Sequence, residues 1–210
     1  VDIDPATQNI DPDAAEQAVT ERTRALVAMH YGGMGCDMKR LHEIAKKNSL
    51  ALIEDAAHCL MSEYDDRPLG CFGDMAGFSF HDSKNISSGE GGALVVADAE
   101  LRARAETLWE KGTNRRQFER GETDKYTWVD VGSSFLPSEI TAAFLLAQLE
   151  EAETITQRRL AIWRQYHEAF AGLEATGAIF RPTTPQQCRH NGHLYYLILP
   201  PREARAGFIN

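Results

Sequence analysis

The chain has 210 residues, of which 43% are hydrophobic, and this is enough to bury a sizeable core in one large domain or somewhat more. Its formal net charge of −9, from 22 basic and 31 acidic residues, argues against nucleic acid or an anionic membrane as the main partner. No apolar run is long enough to span a bilayer, and the four cysteines lack the spacing of a zinc site or a disulfide framework. We therefore expect a cytoplasmic protein with reduced thiols and no metal site.

The first part of the chain predicts a βαβ unit. Asp11 caps a helix that has proline at its first position, and residues 23–30 then form an apolar strand. Asp37 caps a second helix over residues 38–47, and the apolar run at residues 50–53 predicts the next strand. A strand, a helix and a strand in this order indicate a parallel sheet with a right-handed crossover.

The middle of the chain predicts a hairpin and two further strands. The hairpin spans residues 63–70 around an Asp65–Asp66 turn, and residues 73–80 return to the sheet. A glycine-rich turn at residues 87–92 leads into a strand over residues 93–96. This turn lacks the spacing of a P-loop or a dinucleotide fingerprint, so it predicts no nucleotide-phosphate cradle.

The last part of the chain predicts two helical segments that flank a polar one. A helix over residues 99–111 ends at a glycine, and residues 113–132 then interleave arginines and lysine with aromatic rings, which suits either a sugar nucleotide or a solvated loop. Residues 137–170 predict one long helix with a kink, and residues 194–199 predict a strand that opens a smaller domain. The expected division is a large domain over 1–136, a connecting helix over 137–172 and the start of a small domain over 173–210.

Candidate catalytic groups follow the predicted strands. Asp55 ends one strand, at the sheet edge where α/β proteins bind ligands, and His30 and Tyr31 end the neighbouring strand. Lys84 lies in a loop 29 positions after Asp55, and Ser79 precedes it by five positions. An amine that forms a Schiff base and a carboxylate that protonates a pyridine nitrogen are the groups that pyridoxal phosphate requires. The same spacing also suits a surface lysine and a turn-capping aspartate, so spacing alone leaves both interpretations open.

Three motifs add a family resemblance. Residues 54–58 spell E-D-A-A-H, residues 78–85 spell F-S-F-H-D-S-K-N and residues 89–92 spell G-E-G-G. These segments resemble the DegT/StrS family of pyridoxal-phosphate-dependent sugar aminotransferases, and the similarity extends from Val1 to about Tyr196. Residues 110–115 and 124–128 resemble the branch that makes TDP-4-amino-4,6-dideoxygalactose. Members of this family are longer, so we expect an internal fragment.

The resemblance implies a fold-type I α/β architecture, with a mostly parallel sheet in the large domain, and a role for each site residue. Lys84 would hold the cofactor as a Schiff base and act as the general base, while Asp55 would pair with the pyridinium and Ser79 would bond the phosphate. His58 stands where the family usually has glutamine, which contacts the ring hydroxyl, so this contact is expected to become sensitive to pH. Ser134 stands where the family has an asparagine that reaches the partner subunit's phosphate, which implies a homodimer with a shared site.

The resemblance also implies a reaction. L-Glutamate would donate its amino group to the C4 keto group of a TDP-4-keto-6-deoxyhexose, for cell-surface polysaccharide such as lipopolysaccharide or common antigen. A related dehydratase has histidine in place of the lysine, so Lys84 favours transamination. A pyridoxal phosphate enzyme of another reaction class, such as a dehydratase, and a non-catalytic binding domain of the same fold stay open.

Overall fold

The computed structural model describes residues 1–200 and 202–209. Seven strands and eight α-helices lie within these residues. The strands are β1 (Ala25–Met29), β2 (Ala51–Asp55), β3 (Glu63–Tyr64), β4 (Arg67–Pro68), β5 (Met75–Ser79), β6 (Gly92–Val96) and β7 (Cys188–Arg189). The helices are α1 (Pro12–Gln17), α2 (Met38–Lys47), α3 (Ala99–Trp109), α4 (Arg115–Glu119), α5 (Glu139–Glu150), α6 (Ala152–Ala169), α7 (Ala171–Ala175) and α8 (Arg202–Ile209).

A four-stranded sheet in the order β1-β2-β5-β6 organises the first hundred residues. The pairs β1–β2 and β2–β5 are parallel, and β6 runs antiparallel to β5. The connection between β5 and β6 contains no helix, and a parallel pair would need a longer crossover, which explains the reversal. The fold is therefore the predicted α/β fold of type I, with a mostly parallel sheet.

The helix α2 covers the sheet as its sequence predicts. The Asp37 carboxylate caps the helix by accepting a hydrogen bond from the Arg40 N–H, and the helix ends at Asn48. Its buried side chains lie at helical spacing and pack against β1 and β2 in the core. These buried residues are Met38, Leu41, Ile44 and Ala45.

The predicted hairpin is present as the pair β3–β4. Asp65 and Asp66 form its turn with positive φ angles of 46° and 58°, which is the backbone conformation of a type I′ turn. The sequence did not predict β7, which pairs with β3 and so brings the chain after α6 and α7 back to the β3–β4 hairpin.

Three predictions from the second half need correction. The long helix is divided at Glu151 into α5 and α6, so the expected kink is a break between two helices. The polar segment after α3 contains α4 and a bridge between Thr113 and Trp128, so it has regular structure. The predicted strand over residues 194–199 is wrong, because Ile198 forms only an isolated bridge with Phe180 and a strand needs a longer ladder. Over the described residues, no helix has the length and apolar character that a bilayer span requires.

Candidate active site

The carboxyl ends of β1, β2 and β5 meet at one edge of the sheet. The His30 N–H donates to the Asp55 carbonyl at 3.2 Å, and the Ala56 N–H donates to the Gly77 carbonyl at 2.9 Å. These bonds extend the pairing beyond the strands and hold the turn after Asp55. The Asp55 carboxylate accepts a hydrogen bond from the Ala57 N–H at 3.1 Å. Asp55 thus lies at the sheet edge where parallel sheets bind ligands.

Lys84 lies in a closed loop between β5 and β6. The Phe80 N–H donates to the Gly91 carbonyl at 2.8 Å, and the Lys84 N–H donates to the His81 carbonyl at 3.0 Å. The side chain of Glu90, near the end of this loop, is exposed and lies 3.7 Å from His81 Nε2. Lys84 is half-buried, and its ammonium group has no hydrogen bond or ion pair with any residue that the structure describes. A half-buried lysine without a carboxylate partner is unusual and leaves the amine available for covalent chemistry.

A cleft beside this loop brings three of the predicted site residues together. Lys84, Ser79 and His58 line it. Asp55 does not line the cleft, but its charge acts on the His58 ring and Asp55 is therefore close to it. Ser134 is exposed, pairs with Glu110 in an isolated bridge and does not line the cleft. The other lining residues are Ala57, Leu60, Asn85, Ile86, Asn191 and His193.

The His58 ring has a defined hydrogen-bond partner. Its Nδ1 atom accepts the Gly32 N–H at 3.3 Å, so the neutral ring carries its proton on Nε2. Burial lowers the pKa of His58 and the Lys84 ammonium lowers it further, whereas Asp55 opposes both effects. The imidazole is therefore a neutral N–H donor at neutral pH. The protonation of His58, on which the expected pH sensitivity of its cofactor contact depends, therefore occurs at a lower pH than for an ordinary histidine.

Ser79 retains hydrogen-bonding capacity for a ligand. Its Oγ accepts the His81 N–H at 3.4 Å, which leaves the hydroxyl proton for another acceptor. Ser79 is half-buried at the end of β5. A phosphate oxygen is an acceptor of the kind that this hydroxyl suits.

His30 has a structural role beneath the site. It is fully buried, and its Nε2 atom donates to the Glu54 carboxylate at 3.1 Å while its Nδ1 atom accepts the Cys36 N–H. The same carboxylate accepts three backbone N–H groups, at 2.7 Å from Gly70, 2.6 Å from Phe72 and 2.7 Å from Gly73. Burial by itself would raise the pKa of Glu54, but the bonds from His30 and the backbone N–H groups outweigh it and lower the pKa.

The sequence did not identify Asn191 and His193 as members of the site. The His193 ring stacks on the His58 ring with centroids 4.2 Å apart, and the Asn191 amide donates to the His58 carbonyl at 2.8 Å. Both residues follow α6 and α7, far along the chain from the residues they contact. No local pattern in an Asn-Gly-His sequence reveals such a contact.

The arginines of the polar segment are engaged by carboxylates of the same chain. Arg115 contacts Glu119 at 2.9 Å, and Arg120 contacts Glu106 at 3.0 Å and Glu122 at 2.8 Å. These pairs are exposed to solvent, where each contributes little to stability. The neighbouring rings of Phe118, Tyr126 and Trp128 are exposed.

Comparison with known proteins shows the family to which the chain belongs. The family model of the DegT/DnrJ/EryC1/StrS aminotransferase family matches residues 1–210. The spore coat polysaccharide biosynthesis protein SpsC of Bacillus subtilis is 34% identical over 206 residues, which cover 97% of this chain and 52% of that protein. The chain thus spans about half the length of the relatives that it matches.

Solved structures show the same fold. Spr1654 of Streptococcus pneumoniae, solved in PLP and PMP forms, superimposes with a TM-score of 0.84 at 26% identity, over 96% of this chain and 54% of that one. DesI, solved in the presence of its TDP-sugar product, has a TM-score of 0.81 at 32% identity, over 94% of this chain and 47% of that one. The cofactor that these findings indicate is pyridoxal phosphate. The chain belongs to the DegT/DnrJ/EryC1/StrS aminotransferase family.

Proposed function

We propose that this chain carries the active-site lysine of a pyridoxal-phosphate-dependent aminotransferase. The enzyme transfers the amino group of L-glutamate to the C4 keto group of a TDP-4-keto-6-deoxyhexose. The product, a TDP-4-amino-4,6-dideoxy sugar, serves cell-surface polysaccharide biosynthesis in the cytoplasm. The buried thiols of Cys36, Cys59 and Cys188 accord with a reducing compartment.

The observation that carries the proposal is the composition of the cleft. It combines an amine without a carboxylate partner at Lys84, a hydroxyl with a free donor at Ser79 and a neutral imidazole at His58. The Asp55 carboxylate lies beside them at the end of β2. These four groups match the aldehyde, the phosphate, the ring hydroxyl and the pyridine nitrogen of pyridoxal phosphate, so the residues fit the cofactor.

Each residue then has a defined task. When bound, pyridoxal phosphate supplies an electron sink for cleavage of a bond at the substrate carbon. Lys84 would act as the general base that moves a proton between the substrate carbon and the cofactor carbon. Asp55 would keep the pyridine nitrogen protonated by its negative charge, Ser79 would donate to the phosphate and His58 Nε2 would donate to the ring oxygen. Two half-reactions through one site predict ping-pong kinetics.

The two branch-like segments support the choice of substrate because they form one structural unit. The Asn114 amide donates to the Lys125 carbonyl at 2.9 Å, and its oxygen accepts the Thr127 N–H at 2.8 Å. A bridge joins Thr113 to Trp128. The segments that resemble the TDP-sugar transaminases are thus folded against each other, although they are separate in the sequence.

The proposal includes a homodimer with a shared active site, in which Ser134 reaches the partner subunit's phosphate. In support, Ser134 is exposed and lies next to Phe135, which is 65% exposed. The nearby helix α5 exposes Ile140, at 84%, and Phe144, at 55%. Apolar surface of this extent is typical of an interface, and a second copy is the occupant that a shared site requires.

The first experiment is a visible absorbance spectrum of the purified protein with pyridoxal phosphate, before and after L-glutamate. We expect a band of lysine-bound cofactor that is absent in Lys84→Ala and is bleached by glutamate. Lys111→Ala, which removes another lysine in a part-exposed position, is the matched control and should leave the band unchanged. The absence of a band in folded, cofactor-saturated protein would refute the enzyme proposal and favour a binding domain.

The second experiment separates transamination from another reaction class. The protein is incubated with L-glutamate and a TDP-4-keto-6-deoxyhexose, and 2-oxoglutarate and amino sugar are measured together. We expect the two products in equal amounts. Loss of the sugar hydroxyl without formation of 2-oxoglutarate would instead identify a dehydratase.

A further inference from the structure

Three residues link the Lys84 loop to the His58 turn, and we call them the Asn–His bracket: Asn85, Asn191 and His193. We propose that the Asn–His bracket positions Lys84 and the His58 ring, and that its three members are therefore positioning residues of the active site. This inference rests on the proposed function, because it assigns roles toward the same lysine and imidazole.

Asn191 is the centre of the bracket. It is 1% exposed, and both protons of its side-chain amide are used, one toward the His58 carbonyl and one toward the Leu60 carbonyl, each at 2.8 Å. Its Oδ1 atom accepts the His193 N–H at 3.0 Å. Only a short amide offers two donors and an acceptor in this space, so aspartate could not replace it.

Asn85 connects this centre to the catalytic loop. It follows Lys84 directly and is buried, and its Nδ2 atom donates to the Asn191 carbonyl at 3.0 Å. Because that carbonyl only accepts, the amide orientation is defined and Oδ1 faces His193 Nδ1 at 2.9 Å. Because both polar atoms of the Asn85 side chain are hydrogen-bonded, Asn85 restrains the backbone of its neighbour Lys84.

His193 acts on both candidate catalytic groups. Since Asn85 Oδ1 only accepts, His193 must carry its proton on Nδ1 and donate it. Its ring lies 4.2 Å from the His58 ring at an interplanar angle of 25°, which covers one face of that imidazole. His58 itself carries its proton on Nε2, because its Nδ1 accepts the Gly32 N–H. The two stacked rings therefore have opposite tautomers.

The charges around the stack keep both rings neutral. Burial lowers the pKa of His193 to about 4, and His58, Lys84 and Arg159 lower it in the same direction. His58 faces Lys84, Asp55, the stacked His193 and the Tyr31 ring at 6.1 Å. The positive charge of Lys84 disfavours protonation of either ring. If one ring were protonated, its charge would in turn disfavour protonation of the other ring.

The first measurement uses the purified protein without cofactor. Heteronuclear resonance spectra of ¹⁵N-labelled histidine distinguish the two neutral tautomers. We expect the Nε2–H form at His58 and the Nδ1–H form at His193. The opposite tautomer at either residue would refute the proposed Asn–His bracket. This measurement needs no variant and does not depend on cofactor binding.

Two substitutions separate the two functions of His193. His193→Asn keeps a donor for Asn85 but removes the stacked ring, so the pKa of His58 should rise toward 6.5. His193→Phe keeps a stacked ring but removes the donor, so His58 should titrate as before while pyridoxal phosphate binds about tenfold more weakly, as loss of one hydrogen bond predicts. His42→Asn, at an exposed histidine on α2, is the control and should change neither quantity.

Unchanged titration of His58 in His193→Asn, or unchanged cofactor affinity in His193→Phe, would overturn the proposal. Circular dichroism and the thermal midpoint verify that each variant is folded. If the unmodified protein binds no pyridoxal phosphate, the proposed function fails, whereas the tautomers and the titration of His58 still decide whether the bracket exists.

Discussion

Glu54 provides the most stringent test of how the sheet supports the site. Its carboxylate is fully buried and accepts four hydrogen bonds, one from His30 and three from the backbone at residues 70–73. In Glu54→Gln, one oxygen becomes an NH2 group. Gly70 N–H and His30 Nε2–H share the Oε2 atom, so two donors would face the new amide protons if the amide nitrogen took this place.

The other orientation of the amide is no better. The Oε1 atom accepts from Phe72 and Gly73, at 2.6 Å and 2.7 Å. An amide nitrogen there would face two backbone donors. His30 cannot relieve the conflict by changing tautomer, because its Nδ1 accepts the Cys36 N–H. Two unsatisfied buried donors, at about 1–3 kcal/mol each, predict a loss of about 2–6 kcal/mol in the free energy of unfolding.

Urea unfolding followed by circular dichroism measures this loss at pH 7. Glu43→Gln is the matched control, because Glu43 lies on the exposed side of α2 with its carboxylate 3.9 Å from Arg40. Its expected effect is within about 0.5 kcal/mol. A loss below about 1 kcal/mol in Glu54→Gln would refute the reasoning that this carboxylate holds the 70–73 turn.

The pH dependence of the same variant has a defined sign. The folded-state pKa of Glu54 lies below its ordinary value of 4.5, so the carboxylate contributes its stability above that pH. The contribution is lost as pH falls through the folded-state pKa. The difference between Glu54→Gln and the unmodified protein should therefore be largest at neutral pH and should shrink below 4.5.

Two further predictions test the site and its surroundings. His58→Gln keeps a hydrogen-bond donor but removes a titrating group whose pKa is lowered from 6.5. In the unmodified protein, the cofactor affinity measured by absorbance should be constant above pH 6.5 and change only at lower pH. This change should be absent in the variant. If both proteins show the same profile between pH 5 and 8, another group is responsible. Gly33→Ala should lower the free energy of unfolding by about 1–3 kcal/mol, because Gly33 has φ of +84° and an added Cβ would lie 2.3 Å from Asn191 Oδ1. Gly172→Ala in α7 meets no atom within 4 Å and should instead stabilise by about 0.5–1 kcal/mol, and equal effects of the two substitutions in urea would contradict the geometry.

The local elements were predictable where a short stretch contains all the information that determines them. The cap at Asp37, the apolar stripe of α2 and the Asp65–Asp66 turn depend on neighbouring residues, and each is present where the sequence predicts it. The apolar strand ending at Asp55 was predictable for the same reason. The strand expected over residues 194–199 was not, because a strand exists only if another strand pairs with it.

The candidate site likewise has features that the local sequence predicts and features that depend on the tertiary structure. The sequence by itself determined the chemical groups, since Asp55 and Ser79 end predicted strands, and His58 and Lys84 follow those strands in recognisable motifs. Only the tertiary structure decided that Asn191 and His193 meet Asn85 and His58, because these contacts join residues more than a hundred positions apart. It also decided the proton positions and the lowered pKa of His58, which follow from burial and from the partner of each ring nitrogen. Local sequence thus specifies which groups are present, whereas their orientation and protonation depend on neighbours that only the folded chain brings together.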